Sequence, residues 1–312
     1  MSADDDLAEA AATAASAEKC CASCGITAID DIKLKPCPKC DLVEYCSDEC
    51  QHEHLQKHAA ACKKRAAELY DEILFKQPES FHLDDCPICF LPMPLGTYKI
   101  SIQTCCSQKI CNGCAHANMV REDKERLKER RCPFCRHVLP ETDEEIKKFN
   151  MERAKLNDPM ALAQLAGDSH LRGDYESAFQ YYSKAAALGE VESMFNLSQM
   201  YFRGEGVEQD RVKERALLEK IAIAGHPCGR FNLGCIEMED GRHGRAVKHW
   251  IIAAKLGDEN SIKALKLCYK DGVISKEDFA AALRAQFAAV NETKSPQREA
   301  AEVFYQCLND AK

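Results

Sequence analysis

No stretch of this chain approaches the roughly 18 consecutive apolar residues of a membrane-spanning helix, so no helical anchor is expected. The N-terminus lacks the basic start and apolar core of a secretory signal, opening instead on Asp4-Asp5-Asp6 and the alanine-rich stretch Ala10 to Ala15. Long basic runs are missing too, and the net charge of −8 argues against nucleic acid, whose phosphates demand clustered Lys and Arg. The one basic-leaning segment, Arg121 to Arg131, is interleaved with Glu122, Asp123, Glu125 and Glu129 and reads as a solvated helix face. Neither a nucleotide-binding glycine loop nor a nucleophile–base motif is present. The expectation is a soluble cytoplasmic or nuclear protein with no membrane or nucleic-acid partner.

Cysteine, by contrast, is abundant. Of 20 in 312 residues, all but Cys228, Cys235, Cys268 and Cys307 lie between Cys20 and Cys135. In a reducing compartment such clusters read as metal ligands and not disulfides. The first group is Cys21, Cys24, Cys37, Cys40, Cys46, Cys50, His58 and Cys62; the second is Cys86, Cys89, Cys105, Cys106, Cys111, Cys114, Cys132 and Cys135. Two-residue gaps let both thiolates of a pair reach one tetrahedral ion, a geometry zinc accepts without d-electron preference. Eight ligands per group imply two Zn2+ in each module and four in the chain. Modules of about fifty residues are marginal on apolar burial alone, which bound metal offsets. The four later cysteines have no ligand spacing and are expected to be mainly buried packing residues.

The order Cys-x2-Cys, Cys-x2-Cys, Cys-x3-Cys, His-x3-Cys over residues 20–62 resembles a MYND-type zinc finger. That resemblance implies cross-bracing, with Cys21, Cys24, Cys46 and Cys50 on one zinc and Cys37, Cys40, His58 and Cys62 on the other. Cys20 is then a spare thiol, and His52 and His54 compete with His58 for one place. MYND fingers bind proline-containing peptides with a Gln and a Trp; Gln51 fits, whereas Leu55 stands where the Trp would be.

Cys86-Pro-Ile-Cys89 and Cys132-Pro-Phe-Cys135-Arg136 give residues 84–137 the look of a RING-type domain, best matched by its all-cysteine variant. The resemblance implies Cys86, Cys89, Cys111 and Cys114 on one zinc and Cys105, Cys106, Cys132 and Cys135 on the other, with His116 as alternative to one of the adjacent pair. RING-type domains bind an E2 conjugating enzyme and hold its thioester-linked ubiquitin for attack. By that likeness Ile88, Pro133 and Arg136 form the E2-facing patch. Asn118, beside Met119, departs from the apolar residue usual at its helix position.

Beyond residue 157 the chain repeats. Gly189, Gly225 and Gly257 each precede a leucine by eight positions, at Leu197, Leu233 and Leu265, with Leu165 fitting the first unit. Those leucines are followed by Gly173, Gly204, Gly241 and Gly272, and bulky Tyr182, Leu218 and Trp250 recur seven residues before the closing glycines. Helix pairs ended by left-handed glycines, stacked at this period, make a solenoid. The pattern resembles Sel1-like repeats, relatives of the tetratricopeptide repeat. Trp250, equivalent to Tyr182 and Leu218, is expected to pack.

The expected fold class is two small zinc-stabilised α+β modules followed by an all-α Sel1-like solenoid. The expected organisation is a disordered N-terminus (1–19), MYND-type finger (20–62), helical linker (63–83), RING-type finger (84–137), linker helix (138–156), repeats (157–290) and a C-terminal helix (291–312) capping the stack. A RING-type E3 ubiquitin ligase that recruits an E2 and binds an unknown substrate protein through the repeats is the leading expectation. The alternative is a non-catalytic scaffold; a methyltransferase, which MYND fingers sometimes accompany, finds no room beside the repeats.

Overall fold

The computed structural model describes residues 19–28, 33–79 and 81–310. The disordered stretch expected over 1–19 thus lies, save Lys19, outside the described residues. The chain divides into two compact units, Met1–Leu74 and Phe75–Lys312.

The first unit is built around sulfur. Strand β1 (Lys35–Pro36) pairs antiparallel with β2 (Glu44–Tyr45), and helix α1 spans Asp48–Leu74. Asp48 and Glu49 in the first turn of α1 complement its positive end. The core is Cys21, Cys37, Cys40, Tyr45 and Cys62. Helix α1 runs unbroken past Cys62, where the sequence suggests a module boundary, and ends before the irregular segment 75–83. The helical part of the expected linker therefore continues the finger's own helix and stops at Leu74.

The second unit begins with a hairpin of β3 (Ile100–Gln103) and β4 (Gln108–Cys111), in register Ile100↔Cys111 through Gln103↔Gln108. Helix α2 (Asn112–Glu125) follows directly, capped by the thiol of Cys111, which accepts the Cys114 N–H. Helix α3 (Asp143–Ala154) opens with a capping box, Thr142 and Glu145 each satisfying the other's main-chain N–H.

Four helix pairs come next: α4 (Pro159–Leu171) with α5 (Tyr175–Ala187), α6 (Val191–Arg203) with α7 (Arg211–Ile223), α8 (Pro227–Glu239) with α9 (His243–Lys255), and α10 (Glu259–Lys270) with α11 (Lys276–Glu292). The repeating leucines Leu165, Leu197, Leu233 and Leu265 are buried between them. Gly204 ends α6 at φ 71°, where its N–H returns to the Met200 carbonyl, a conformation that costs a residue with a Cβ. The first helix of each pair is N-capped by a side chain, from Asp158, Glu190, His226 and Asp258 in turn. Trp250 packs as expected, buried in the core with Ala246, Ala254 and Leu265, its indole N–H donating to the Phe231 carbonyl at 3.2 Å. Gly234 makes room for it: a Cβ there would lie 2.5 Å from the indole nitrogen.

Helix α11 packs on α9 and α10. Helix α12 (Pro296–Asp310) departs from the expected capping role and packs against α2 of the second cysteine module. Among the described residues no helix is long and apolar enough to cross a membrane.

Candidate metal centres

Four Cys-x2-Cys pairs share one local geometry. In each, the N–H of the residue after the second cysteine returns to the carbonyl of the first: Gly25 to Cys21 (2.9 Å), Asp41 to Cys37 (3.5 Å), Phe90 to Cys86 (2.8 Å) and Arg136 to Cys132 (2.9 Å). All four closing residues have φ between 54° and 77°. This tight turn aims both thiols at one point. The remaining donors come from helix starts and a hairpin end: Cys46, Cys50, His58 and Cys62 at or along α1, Cys111 and Cys114 at the start of α2, and Cys105 and Cys106 in the β3–β4 turn.

The structure gathers all sixteen sequence-derived donors into four groups of four: Cys21, Cys24, Cys46 and Cys50; Cys37, Cys40, His58 and Cys62; Cys86, Cys89, Cys111 and Cys114; Cys105, Cys106, Cys132 and Cys135. Within a group the donor atoms lie within 4.8 Å of one another. Sulfurs 2.3 Å from a tetrahedral zinc stand about 3.8 Å apart. The observed separations bracket that: 3.5 Å for Cys24–Cys46, 3.8 Å for Cys37–Cys62, 3.8 Å for Cys86–Cys114 and 3.9 Å for Cys106–Cys132. Every one is far beyond the roughly 2.05 Å of a disulfide, and all the cysteines are free. The donor sets therefore fit zinc in number, softness and spacing.

Crowded thiols resist ionising together. Burial above all, with the charges of Cys86 and Cys89, pushes Cys114 up to about 12. Burial, then Cys135 and Cys132, pushes Cys106 up to about 11. A coordinated dication inverts this, because a liganding thiol gives up its proton. Main-chain donors are ready for the resulting charge: the N–H groups of Phe134 and Cys135 both point at Cys132 Sγ at 3.4 Å.

Cys105 Sγ lies 3.4 Å from Cys135 Sγ, and both members of the vicinal pair stand in one group, while the His116 ring packs tilted against Phe304 with centroids 4.7 Å apart. His58, not His52 or His54, meets Cys40, at 3.0 Å. His54 instead stacks on the His58 ring and bonds the Tyr45 hydroxyl at 3.1 Å, steadying the donor from outside. Gln51 is half-buried and Leu55 exposed on α1. Of the outlying cysteines only Cys268 is buried; Cys235 is half-buried, and Cys228 and Cys307 are exposed, so the packing role holds for fewer than expected.

A fifth cluster, His82, Glu192 and His226, escaped the sequence because its members are far apart in the chain. His82 Nε2 and His226 Nε2 lie 3.0 and 3.3 Å from Glu192 Oε1. His226 Nδ1 already accepts the Gly229 N–H as the cap of α8, at 3.0 Å, so its proton sits on Nε2 and faces the carboxylate. A metal at Nε2 would need that proton removed from a ring whose other nitrogen is also bare. The cluster is better read as a clasp in which His82 is hydrogen-bonded to Glu192 and the His226 ring lies close beside the same carboxylate. Burial opposes the Glu192 charge, yet the His226 and His82 imidazoles outweigh it and hold the carboxyl below the usual glutamate range. Burial likewise drives His82 below the ordinary histidine value.

The clasp belongs to a seam between the second cysteine module and the repeats. Ser107 donates to Asp158 at 2.8 Å, with Arg153 bonded to both, and Lys109 pairs with Glu190 at 3.2 Å.

Ile88, Pro133 and Arg136 come together on one groove of about 560 Å³, walled by α2 through Asn118 and Arg121. Ile88 and Arg136 are exposed and Pro133 half-buried. The Asn118 amide donates to the Arg131 carbonyl at 3.1 Å and its oxygen accepts from Arg121 at 2.9 Å, so it ties α2 to the loop before Cys132.

Residues 21–62 match the MYND finger family, and residues 160–190, 191–226 and 231–258 match the Sel1 repeat. The chain carries a MYND finger and Sel1 repeats. No RING-type family matches the second cysteine module. No curated protein matches the chain. Among solved structures, a Sel1 repeat protein from Oxalobacter formigenes is 19% identical and covers 56% of this chain and 82% of its own, at a TM-score of 0.43. A protective antigen of uropathogenic Escherichia coli strains displaying an SLR fold is 19% identical over 55% of this chain and 37% of its own, at 0.38. The MYND finger implies zinc binding, and Sel1 repeats generally mediate protein–protein interaction. The chain is accordingly a zinc-binding scaffold for protein interactions.

Proposed function

We propose that this scaffold is a RING-type E3 ubiquitin ligase holding four zinc ions, two in each cysteine module. The ions are structural: each ties loops together that the small cores could not hold. Within the second module the proposed ligands are Cys86, Cys89, Cys111 and Cys114 for one ion and Cys105, Cys106, Cys132 and Cys135 for the other, a reading supported by the closeness of the four sulfurs in each group.

The observation that carries the reading is the groove on which Ile88, Pro133 and Arg136 meet. Ile88 comes from the first Cys pair, Pro133 from the last, and both offer apolar surface to an E2 loop. Phe134, 48% exposed, and Leu127, 47% exposed, extend the apolar area nearby. Arg136 stands on a left-handed backbone at φ 61° and is exposed. A guanidinium there has donors enough to bridge an E2 and its bound ubiquitin. The reaction needs no catalytic side chain from this protein, only a thioester held in an attack-ready pose. The Sel1 stack binds the substrate protein through surface left free by the seam with the cysteine module.

A scaffold without transfer activity is the second reading, and Asn118 favours it. Its amide is engaged in tying α2 to the Arg131 loop and presents no apolar anchor to an incoming E2. An autoubiquitination assay with full-length protein against a panel of E2 enzymes separates the two. The ligase reading expects chains with at least one E2, lost in Ile88→Ala while metal content stays unchanged. Silence across the panel leaves the scaffold.

A further inference from the structure

The last helix reaches 200 residues back along the chain. Arg298, near the start of α12, is only 6% exposed. Its Nη1 donates to the carbonyls of Pro92 and Thr293, each at 2.7 Å. Its Nη2 donates to the Leu91 carbonyl at 3.2 Å and to Cys89 Sγ at 3.4 Å. The approach is close enough that only glycine fits beneath it: a Cβ on Gly113 would lie 2.9 Å from the Arg298 nitrogen and 2.8 Å from its Cγ. Further along the helix, Phe304 packs tilted against His116 and Glu302 pairs with Lys99 at 2.6 Å. Gln297, the residue before the arginine, stands on the rim of the groove that carries Ile88.

The chemistry of this contact is specific. A zinc held by four thiolates carries a net double negative charge, and buried negative charge is costly unless matched. A guanidinium is permanently cationic, and its rigid fork here serves three carbonyls and a sulfur at once, more acceptors than the three N–H groups of an ammonium. Donors outside the ligand set that hold a ligand in place are worth about 10–100-fold in metal affinity.

We propose that α12 acts within the same chain as the keeper of the Cys86–Cys89–Cys111–Cys114 site. Arg298 is a positioning residue: it fixes the loop from Cys89 to Pro92 and stabilises the Cys89 thiolate. The final helix thereby sets how firmly this site keeps its metal and how the Ile88 side of the groove is held. The inference rests on the metal reading of the second module and is independent of ubiquitin transfer.

The test follows metal release from full-length, zinc-loaded protein into a chromogenic chelator, with amide hydrogen exchange read over residues 87–94. Arg298→Ala is expected to speed the loss of a single equivalent about tenfold, leave the other equivalents at their original rate and strip protection from 87–94. Arg298→Lys keeps the charge but not the fork, and serves should the alanine variant fold poorly; it is expected to fall between alanine and the parent protein. Glu302→Ala, which removes only the exposed pair with Lys99, is expected to change neither readout. Cys89→Ala calibrates the site. If it costs no equivalent, the metal reading of this cluster fails and takes the keeper role with it. If it does cost one, while Arg298→Ala and Arg298→Lys both leave release and exchange unchanged, the keeper role alone is overturned.

Discussion

Around the donor clusters of the cysteine modules, few large apolar side chains are buried: Tyr45 in the first, Met93 and Ile110 in the second. In the repeat stack, one core cluster alone gathers Trp250, Leu265, Cys268, Ile274 and seven small or partly buried partners from α8 and α9, with Phe279 against it. The modules hold their loops by converging donors, and local chain geometry matters there more than volume. The stack holds its helices by matching large to small, as Trp250 does with Gly234. A module should therefore fail at a single atom, and the stack should weaken by degrees.

The harshest way to break the comparison is to remove one ligand. Cys62→Ala should empty its site and unfold the first module, since structural zinc in finger peptides is worth about 10–16 kcal/mol per site. The metal count should fall, while the melting of the repeat helices, followed by circular dichroism, stays where it was. If the repeats melt earlier too, the two regions are not held independently.

A gentler change sharpens it from the other side. Trp250→Ala should cost the stack about 3–5 kcal/mol, the range for deleting a large buried aromatic side chain. Chemical denaturation should show that loss with zinc content intact. A fall in zinc on Trp250→Ala would mean that stack packing supports the metal sites directly.

The least of the three effects is expected at the seam, where protons decide. His82 sits below its ordinary value because burial penalises its charged form, so its contribution is complete above about pH 6.5 and declines as the pH falls. Glu192 is also depressed, so its contribution is complete above about pH 4.5 and is lost with further acid. The two signs agree: acid loosens the clasp, histidine first. Lys109 and Glu190 flank it and are satisfied by one another. Hydrogen exchange over residues 81–84 between pH 7 and pH 2 reads the opening, and Glu192→Gln should abolish the lower step, below about pH 4.5. An unchanged profile in that variant would remove Glu192 from the account.

What could be read beforehand follows from where the determinants lie. Ligand spacing is a local demand, two residues between thiols or one helical turn between His58 and Cys62, and it stands in the sequence as plainly as in the structure. The repeat was legible for the same reason: Leu197, Leu233 and Leu265 recur at fixed distance from glycines whose positive φ the fold requires. The Ser295-Pro296 start of the last helix was readable too, but not its destination. Nothing in Gln297-Arg298-Glu299 announces a loop 200 residues earlier, so the sequence alone points the last helix to the open end of the stack. The clasp of His82, Glu192 and His226 was hidden likewise, its three members scattered among a linker, a helix face and a cap. Sequence shows what neighbours must do; it is mute about partners chosen by tertiary geometry.

One consequence follows from the row of caps along the stack. Ser107 meets Asp158 before α4, Lys109 meets Glu190 before α6, and His82 reaches the carboxylate beside the His226 cap of α8. Open-ended arrays can gain or shed units freely, because each unit touches only its neighbours. Here the cysteine module spans three units like a ruler laid across the rungs. An extra helix pair inserted between α5 and α8 would displace at least one rung by about 8–10 Å, the distance between packed helices. Duplication within this stretch is therefore closed to the protein, and the return of α12 to α2 ties down the far end of the stack as well.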